Sequence, residues 1–321
     1  MCIRDRAHPE GSSTSNDLMG EAVAVSSSGN TVAAFGRGRY GALSYDGYVR
    51  VYHLEGAVWT QKGSTLRGTS AQAWFGQCIA LSKYGDVLIA RNGASEQDVL
   101  TYRYTTSSGW TKVGNTISGS GEANTNFAIS ADDTPMVLAV AQHGHNTNTG
   151  RVQVYEWTDT VSEWHRRGSD ILGEEGGDLF GCSLSISADG TVLVVGAKGN
   201  VERSRHWGLG EPHGKARVYG WDGTAWNKLA RDVMGEAADD DFGDSVSVSA
   251  NGMRFAVGAQ YNDGGGTDVG HTRVYEIVDL PPNTRQWTAP GTYHMRYKAT
   301  AGGGAETPDD EAHYLTVEVS L

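Results

Sequence analysis

The chain has 321 residues and a formal net charge of −12, from 38 acidic and 26 basic side chains. That balance argues against nucleic acid or an anionic membrane as the main partner, since both require Lys/Arg patches. No apolar run approaches the roughly 18 residues of a membrane span. Glycine at 44 residues beside only 7 prolines reads as turn chemistry rather than a disordered linker.

The first residues, Met1-Cys2-Ile3-Arg4-Asp5-Arg6, look like a translated transposon-end sequencing adaptor. Residues 1–11 are therefore set aside as a leader, and the natural start and any signal peptide are expected upstream. From residue 12 a single plan recurs five times: a Phe-Gly-like opening, a Ser/Val strand, a tight turn, an apolar strand, a Val-Tyr strand and a Trp strand. Three anchors keep this order. A serine closes the first strand at Ser26, Ser82, Ser130, Ser187 and Ser249. A tyrosine marks the third at Tyr52, Tyr102, Tyr155, Tyr219 and Tyr275, and a tryptophan the fourth at Trp59, Trp110, Trp164, Trp226 and Trp287.

Each strand has a physical signature. The first alternates small polar and apolar residues, as in Ser245-Val246-Ser247-Val248-Ser249, which is the period-two signal of a strand. The second is continuously apolar, Val192 to Val195 for example, and needs cover on both faces. Between them lie Asp189-Gly190, Asn251-Gly252, Ser28-Gly29 and Tyr84-Gly85, which suit a tight hairpin because Gly tolerates positive φ. The third repeat carries Asp132-Asp133-Thr134-Pro135 instead, so its turn is expected to differ. The fourth strand is short and charged after its Trp, which places it at an exposed edge. Phe75, Phe180 and Phe242, each before Gly, are expected to fill the gaps between repeats. Cys78 and Cys182 read as small buried residues rather than a disulfide pair.

A unit of this size is one sheet that cannot bury its own faces, so the copies must stack. The fold class is therefore all-β, a β-propeller of at least five four-stranded blades over residues 12–68, 69–119, 120–173, 174–235 and 236–287. Residues 288–321 read as a β-strand pair, either docked on the propeller or part of a truncated immunoglobulin-like domain.

These repeats resemble the FG-GAP-type propeller repeats of integrin α-chains and microbial surface proteins. Asp241-Phe242-Gly243-Asp244-Ser245-Val246-Ser247-Val248-Ser249-Ala250-Asn251-Gly252 followed by Phe255-Ala256-Val257-Gly258-Ala259 carries the resemblance best. It weakens in the third repeat, where Asn126-Phe127-Ala128 replaces Phe-Gly. The resemblance implies a cell-surface or extracellular protein that contacts a protein or glycan ligand, and a calcium loop between the first two strands. Here that connection is only Ser187-Ala188-Asp189-Gly190-Thr191 and its equivalents. Such a hairpin is too short for the six to eight oxygens a calcium ion takes, so no cofactor is expected.

Candidate chemistry is sparse. The longest insertion, 198–214 in the fourth repeat, carries Arg203, Arg205, His206, Trp207 and His213. These are the best binding candidates, because insertions in repeat proteins map to one face. Asn262, Asp263 and Asp268 in a Gly-rich loop are a weak cation candidate. Glu174, Glu175 and Asp178, and Asp239-Asp240-Asp241, read as solvated charge, and His143-Gly144-His145 lacks a third metal ligand. No catalytic set is assigned. The expected function is a non-catalytic binding or adhesion module, and the alternative is an enzyme with its site at the axial channel of the propeller. That alternative needs acids or histidines on the first strands, which offer mainly Ser, Ala, Val and Ile.

Overall fold

The computed structural model describes residues 18–37, 46–68, 70, 72–93, 97–119, 125–199, 213–278, 292–299 and 314–318. The repeats form five antiparallel sheets whose strands pair largely in chain order. The first contains β1 (Ala22–Val25), β2 (Thr31–Gly36), β3 (Tyr48–Glu55), β4 (Val58–Gln61) and β5 (Leu66–Arg67). The second contains β6 (Ile79–Leu81), β7 (Val87–Asn92), β8 (Asp98–Thr105) and β9 (Gly109–Ile117). In the third are β10 (Thr125–Ile129), β11 (Val137–Gln142), β12 (Arg151–Thr158), β13 (Glu163–Arg166) and β14 (Ile171–Leu172). The fourth has β15 (Ser183–Ile186), β16 (Val192–Ala197), β17 (His213–Trp221), β18 (Trp226–Lys228) and β19 (Val233–Ala238). The fifth has β20 (Ser245–Val248), β21 (Arg254–Ala259), β22 (His271–Val278), β23 (Thr292–Ala299) and β24 (Tyr314–Glu318).

Two features differ from the four-strand plan. The long third strand outruns the fourth, so β5, β14 and β19 pair with the uncovered halves of β3, β12 and β17. In the second sheet β9 covers both halves, with a register shift between the partners of Val99 and Thr101 and Gly114 at φ +70°. In the fifth sheet, Trp287 lies outside the described residues. The fourth place is taken by β23, which pairs with β22 from Arg273↔Ala299 to Val278↔His294 and is itself extended by β24.

The recurring serine is the cap of the first hairpin. Ser26, Ser82, Ser187 and Ser249 Oγ accept the backbone N–H five residues on, from Thr31, Val87, Val192 and Arg254, at 2.9–3.1 Å. The turn closes through Gly29, Gly85, Gly190 and Gly252, whose N–H groups donate to the serine carbonyls. In the third repeat, which has a cis Thr134-Pro135 bond, Ser130 Oγ accepts from Val137 N instead, at 2.9 Å. The turn differs as expected, yet the cap survives.

By compactness the chain divides into Met1–Thr125, Ala131–Met136 and Trp157–His165 as one unit, and Asn126–Ser130, Val137–Glu156 and Arg166–Leu321 as the other. In the first unit Ala33, Val49 and Val51 of the first sheet pack with Phe75, Leu81, Leu88, Ala90 and Trp110 of the second repeat. In the second unit β16 contributes to two clusters by alternation. Leu193, Val195 and Ala197 meet Val137, Ala139, Val152 and Val154 around Phe180. Val192 and Val194 meet Phe255, Val257 and Tyr275 around Phe242. The continuous apolar run is thus covered on both faces, as its composition demands.

Glycine sets the close approaches between successive repeats. A Cβ on Gly150 or Gly214 would overlap the backbone of Phe180 or Phe242, and one on Gly47 that of Phe75. The Phe-Gly opening therefore lies directly against the entry of the preceding third strand, and all three phenylalanines are fully buried. Tryptophan does the same at the other end of the sheets. Trp110 Nε1 donates to Lys62 O at 2.7 Å beside Gly63, and Trp226 Nε1 to Arg167 O at 3.0 Å beside Gly168. Gly63 and Gly168, four residues after Trp59 and Trp164, thus receive the fourth-strand Trp of the next repeat, so Trp110 and Trp226 are packing residues.

Candidate functional site

Repeat geometry puts the variable chain at one end of each sheet. Strand two leaves and strand three enters at that end, and β14 and β19 pair there through Arg151↔Leu172 and Lys215↔Met234. The connecting loops are 37–47, 93–97, 143–150, 198–212 and 260–270, whereas the capped first turn keeps one length in four repeats.

Arg203, Arg205, His206 and Trp207 lie outside the described residues. His213 opens β17, where only its backbone is described. The feet of this insertion are well defined. On one side Lys198 Nζ contacts Asp244 Oδ1 at 2.7 Å and Asp241 Oδ2 at 3.6 Å; on the other, Lys215 Nζ contacts Asp178 Oδ2 at 3.0 Å.

Two residues beyond Lys215 on β17, Arg217 is 1 % exposed. Its guanidinium lies 5.4 Å over the Phe180 ring, reaches Asp232 at 3.1 Å and Glu174 Oε2 at 2.6 Å. Burial disfavours the charge, but Tyr219, Asp232 and Glu174 hold the Arg217 pKa above its ordinary value. Asp232 is half-buried, yet Lys228 and Arg217 hold its carboxyl below the usual range. Burial pushes the Tyr219 phenol up to about 12.

The fifth repeat reproduces the arrangement. Arg273 pairs with Glu236 and lies 5.6 Å over Phe242. The buried Asn262 Nδ2 donates to Asp240 Oδ2 at 2.6 Å and Glu236 Oε2 at 3.3 Å, while Asn262 Oδ1 accepts from Gly264 N at 3.0 Å. Asp263 Oδ1 accepts the Asp268 N–H at 2.8 Å. The three cation candidates therefore organise their own Gly-rich loop, and Asn262 ties it to the preceding connection. Beside them burial, then Arg273, lowers the His271 pKa.

The charge runs are corrected by this geometry. Glu174, Asp178, Glu236 and Asp241 are partners of the third-strand cations or of Lys198, and Asp240 is buried on Asn262. The missed signal was their spacing, since Glu174 precedes Phe180 as Glu236 precedes Phe242. Among the described residues no group of three or more His, Cys, Asp or Glu is placed to hold a metal. Burial pushes the Cys182 thiol up to about 11, so it is not a ready nucleophile.

No family model matches the chain, and no curated protein does. Solved structures do. A "putative 6-phosphogluconolactonase" from Bacteroides uniformis matches with a TM-score of 0.54 at 10% identity, over 87% of this chain and 71% of that one. Sqt1 from Chaetomium thermophilum gives 0.47 at 14%, over 90% and 84%. The Dos1 propeller gives 0.46 at 10%, over 86% and 65%. The fold is a β-propeller. At these identities the likeness is one of architecture, and none of the helices described is long and apolar enough to cross a membrane.

Proposed function

We propose that this propeller is a non-catalytic binding module of the FG-GAP type, working at the cell surface or outside the cell. In this reading the loops between second and third strands contact a protein or glycan. The observation that carries it is the contrast between a uniform scaffold and loops that vary in length at one end, above all the insertion over 198–212 held between Lys198 and Lys215. Contact surfaces in repeat proteins are built this way, by insertion on one face. The first strands support a non-catalytic role, since they carry mainly Ser, Ala, Val, Ile and Leu and no acid, and burial pushes the Cys182 thiol up to about 11. The short first turns support the absence of a resident calcium, because Ser187 Oγ and Asp189 Oδ1 already accept backbone N–H groups.

The test is a glycan-array and surface-protein binding screen of the intact chain beside a variant with 200–211 replaced by a short Gly-Ser link. Loss of the captured ligand with unchanged thermal unfolding is the expected result. Full retention of binding by that variant, and by one with 263–269 shortened in the same way, would sink the proposal.

A further inference from the structure

The fourth and fifth repeats fasten the entry of their third strands with different chemistry. In the fourth, Lys215 Nζ meets Asp178 Oδ2 at 3.0 Å, a permanent cation on a carboxylate two residues before Phe180. The register puts His271 in the place of Lys215, because His271 pairs Ala259 as Lys215 pairs Ala197. Asp240, two residues before Phe242, takes the place of Asp178. A fixed charge in one repeat is thus exchanged for a side chain that titrates near neutrality in the next.

The carboxylates around His271 are already engaged. Asp240 is 3 % exposed, and its Oδ2 accepts from Asn262 Nδ2 at 2.6 Å. Glu236 pairs with Arg273 and accepts from the same Asn262 Nδ2 at 3.3 Å. The His271 ring is partly buried, and its Nε2 is enclosed without a hydrogen-bond partner. Three charged groups face the ring: Arg273 from its own strand, Glu236 from β19, and Asp240 from the connection between β19 and β20. Burial and Arg273 disfavour a positive ring more than the two carboxylates favour it, which keeps the ring neutral at neutral pH.

Asn262 is where the loop over 260–270 is tied down. Besides its bonds to Asp240 and Glu236, its Oδ1 accepts from Gly264 N at 3.0 Å and its backbone carbonyl from Gly270 N at 3.0 Å. A proton added at Nε2 makes an enclosed cationic N–H with no acceptor, and such a group demands a counter-charge. Glu236 is held by Arg273, whereas Asp240 stands where the fourth repeat supplies Asp178 to its cation. We infer that protonation of His271 draws Asp240 away from Asn262 and releases the 260–270 loop, a pH-operated latch where the fourth repeat has a fixed one. The loop is fastened above the ordinary histidine range and is freed as pH falls through the lower folded value.

Hydrogen exchange of the full chain, at about pH 7.5 and about pH 5 on either side of the ordinary histidine value, tests this when rates are converted to protection factors. In the wild type the Gly264 and Gly270 amides are expected to lose protection at the lower pH. The Gly252 amide, bonded to Ser249 O in the capped turn at the other end of the sheet, is expected to keep it. His271→Gln, which cannot gain the charge, should stay protected at both pH values, and His271→Lys, which always carries it, should be unprotected at both. Unchanged protection of Gly264 and Gly270 in the wild type overturns the inference. So does the same acid loss in His271→Gln, a protected loop in His271→Lys, or a matching loss at Gly252. The readout is the loop itself, so the result is independent of any ligand the loop contacts.

Discussion

Removing the hydroxyl of Ser187 isolates what the recurring serine contributes. Ser187 is fully buried, and its Oγ accepts from Val192 N at 3.0 Å and Thr191 N at 3.2 Å. In Ser187→Ala the Thr191 N–H keeps Asp189 Oδ1 at 3.1 Å. The buried Val192 N–H keeps nothing, so the penalty is that of one orphaned buried donor, about 1–3 kcal/mol. Ser249 makes the same bond to Arg254 N at 2.9 Å, but its turn is open to water, which replaces the lost acceptor. There the expected loss is about 0.5 kcal/mol, near the lower end for a net hydrogen bond. Thermal unfolding reads the difference, since each kcal/mol moves the midpoint by about 2–4 °C in a domain of 150–250 residues. Hydrogen exchange adds a local readout, with the Val192 amide losing protection in Ser187→Ala. Equal shifts for the two variants, or an unprotected Val192 amide in the wild type, would refute the capping argument.

Three further outcomes are expected. Gly150→Ala places a Cβ into the Phe180 backbone at φ +84°, combining left-handed strain with overpacking for about 2–5 kcal/mol. Gly109→Ala, at φ +66° with open space around it, should lose only the strain, about 1–2 kcal/mol, as paired urea titrations will show. Removing divalent cations with EDTA should leave the unfolding midpoint unchanged; a drop of several degrees would mean that a cation is bound after all. Asp232 has its folded pKa held below the usual carboxylate range by Lys228 and Arg217, so its ion pairs stabilise the fold fully above that range. Their contribution is lost as pH falls through the lower folded value. The acid-side fall in the unfolding midpoint should accordingly be shallower in Asp232→Asn than in the wild type.

The strand plan was legible because it repeats in residues with a single physical use. Serine before a Gly turn, an apolar run on the second strand, and Trp before Gly each recur at matched places, and the sheets follow them. Partnership across the repeat was harder to see. Gly150 and Phe180, or Arg217 and Glu174, are separated by dozens of residues, and only the stacking of one sheet on the next brings them together. The acidic residues were misread for that reason, since a run such as Asp239-Asp240-Asp241 looks solvated until Asn262 and Lys198 are placed against it. The two-residue β5 and β14 went unseen because two residues carry no period, and the six-residue β19 because its pairing with β17 is interrupted by a register shift.

The same separation explains how such a scaffold can acquire a contact surface. Residues of β16 are held by clusters on two sides, so a change of one methylene there is felt by both neighbours. At the ends of the connection between β16 and β17, Asp244 pairs with Lys198 and Asp178 with Lys215. Lengthening a loop whose ends are already fixed is cheap, about 0.6 kcal/mol for each doubling. Loops of very different length can therefore be carried by nearly identical sheets at little cost in stability.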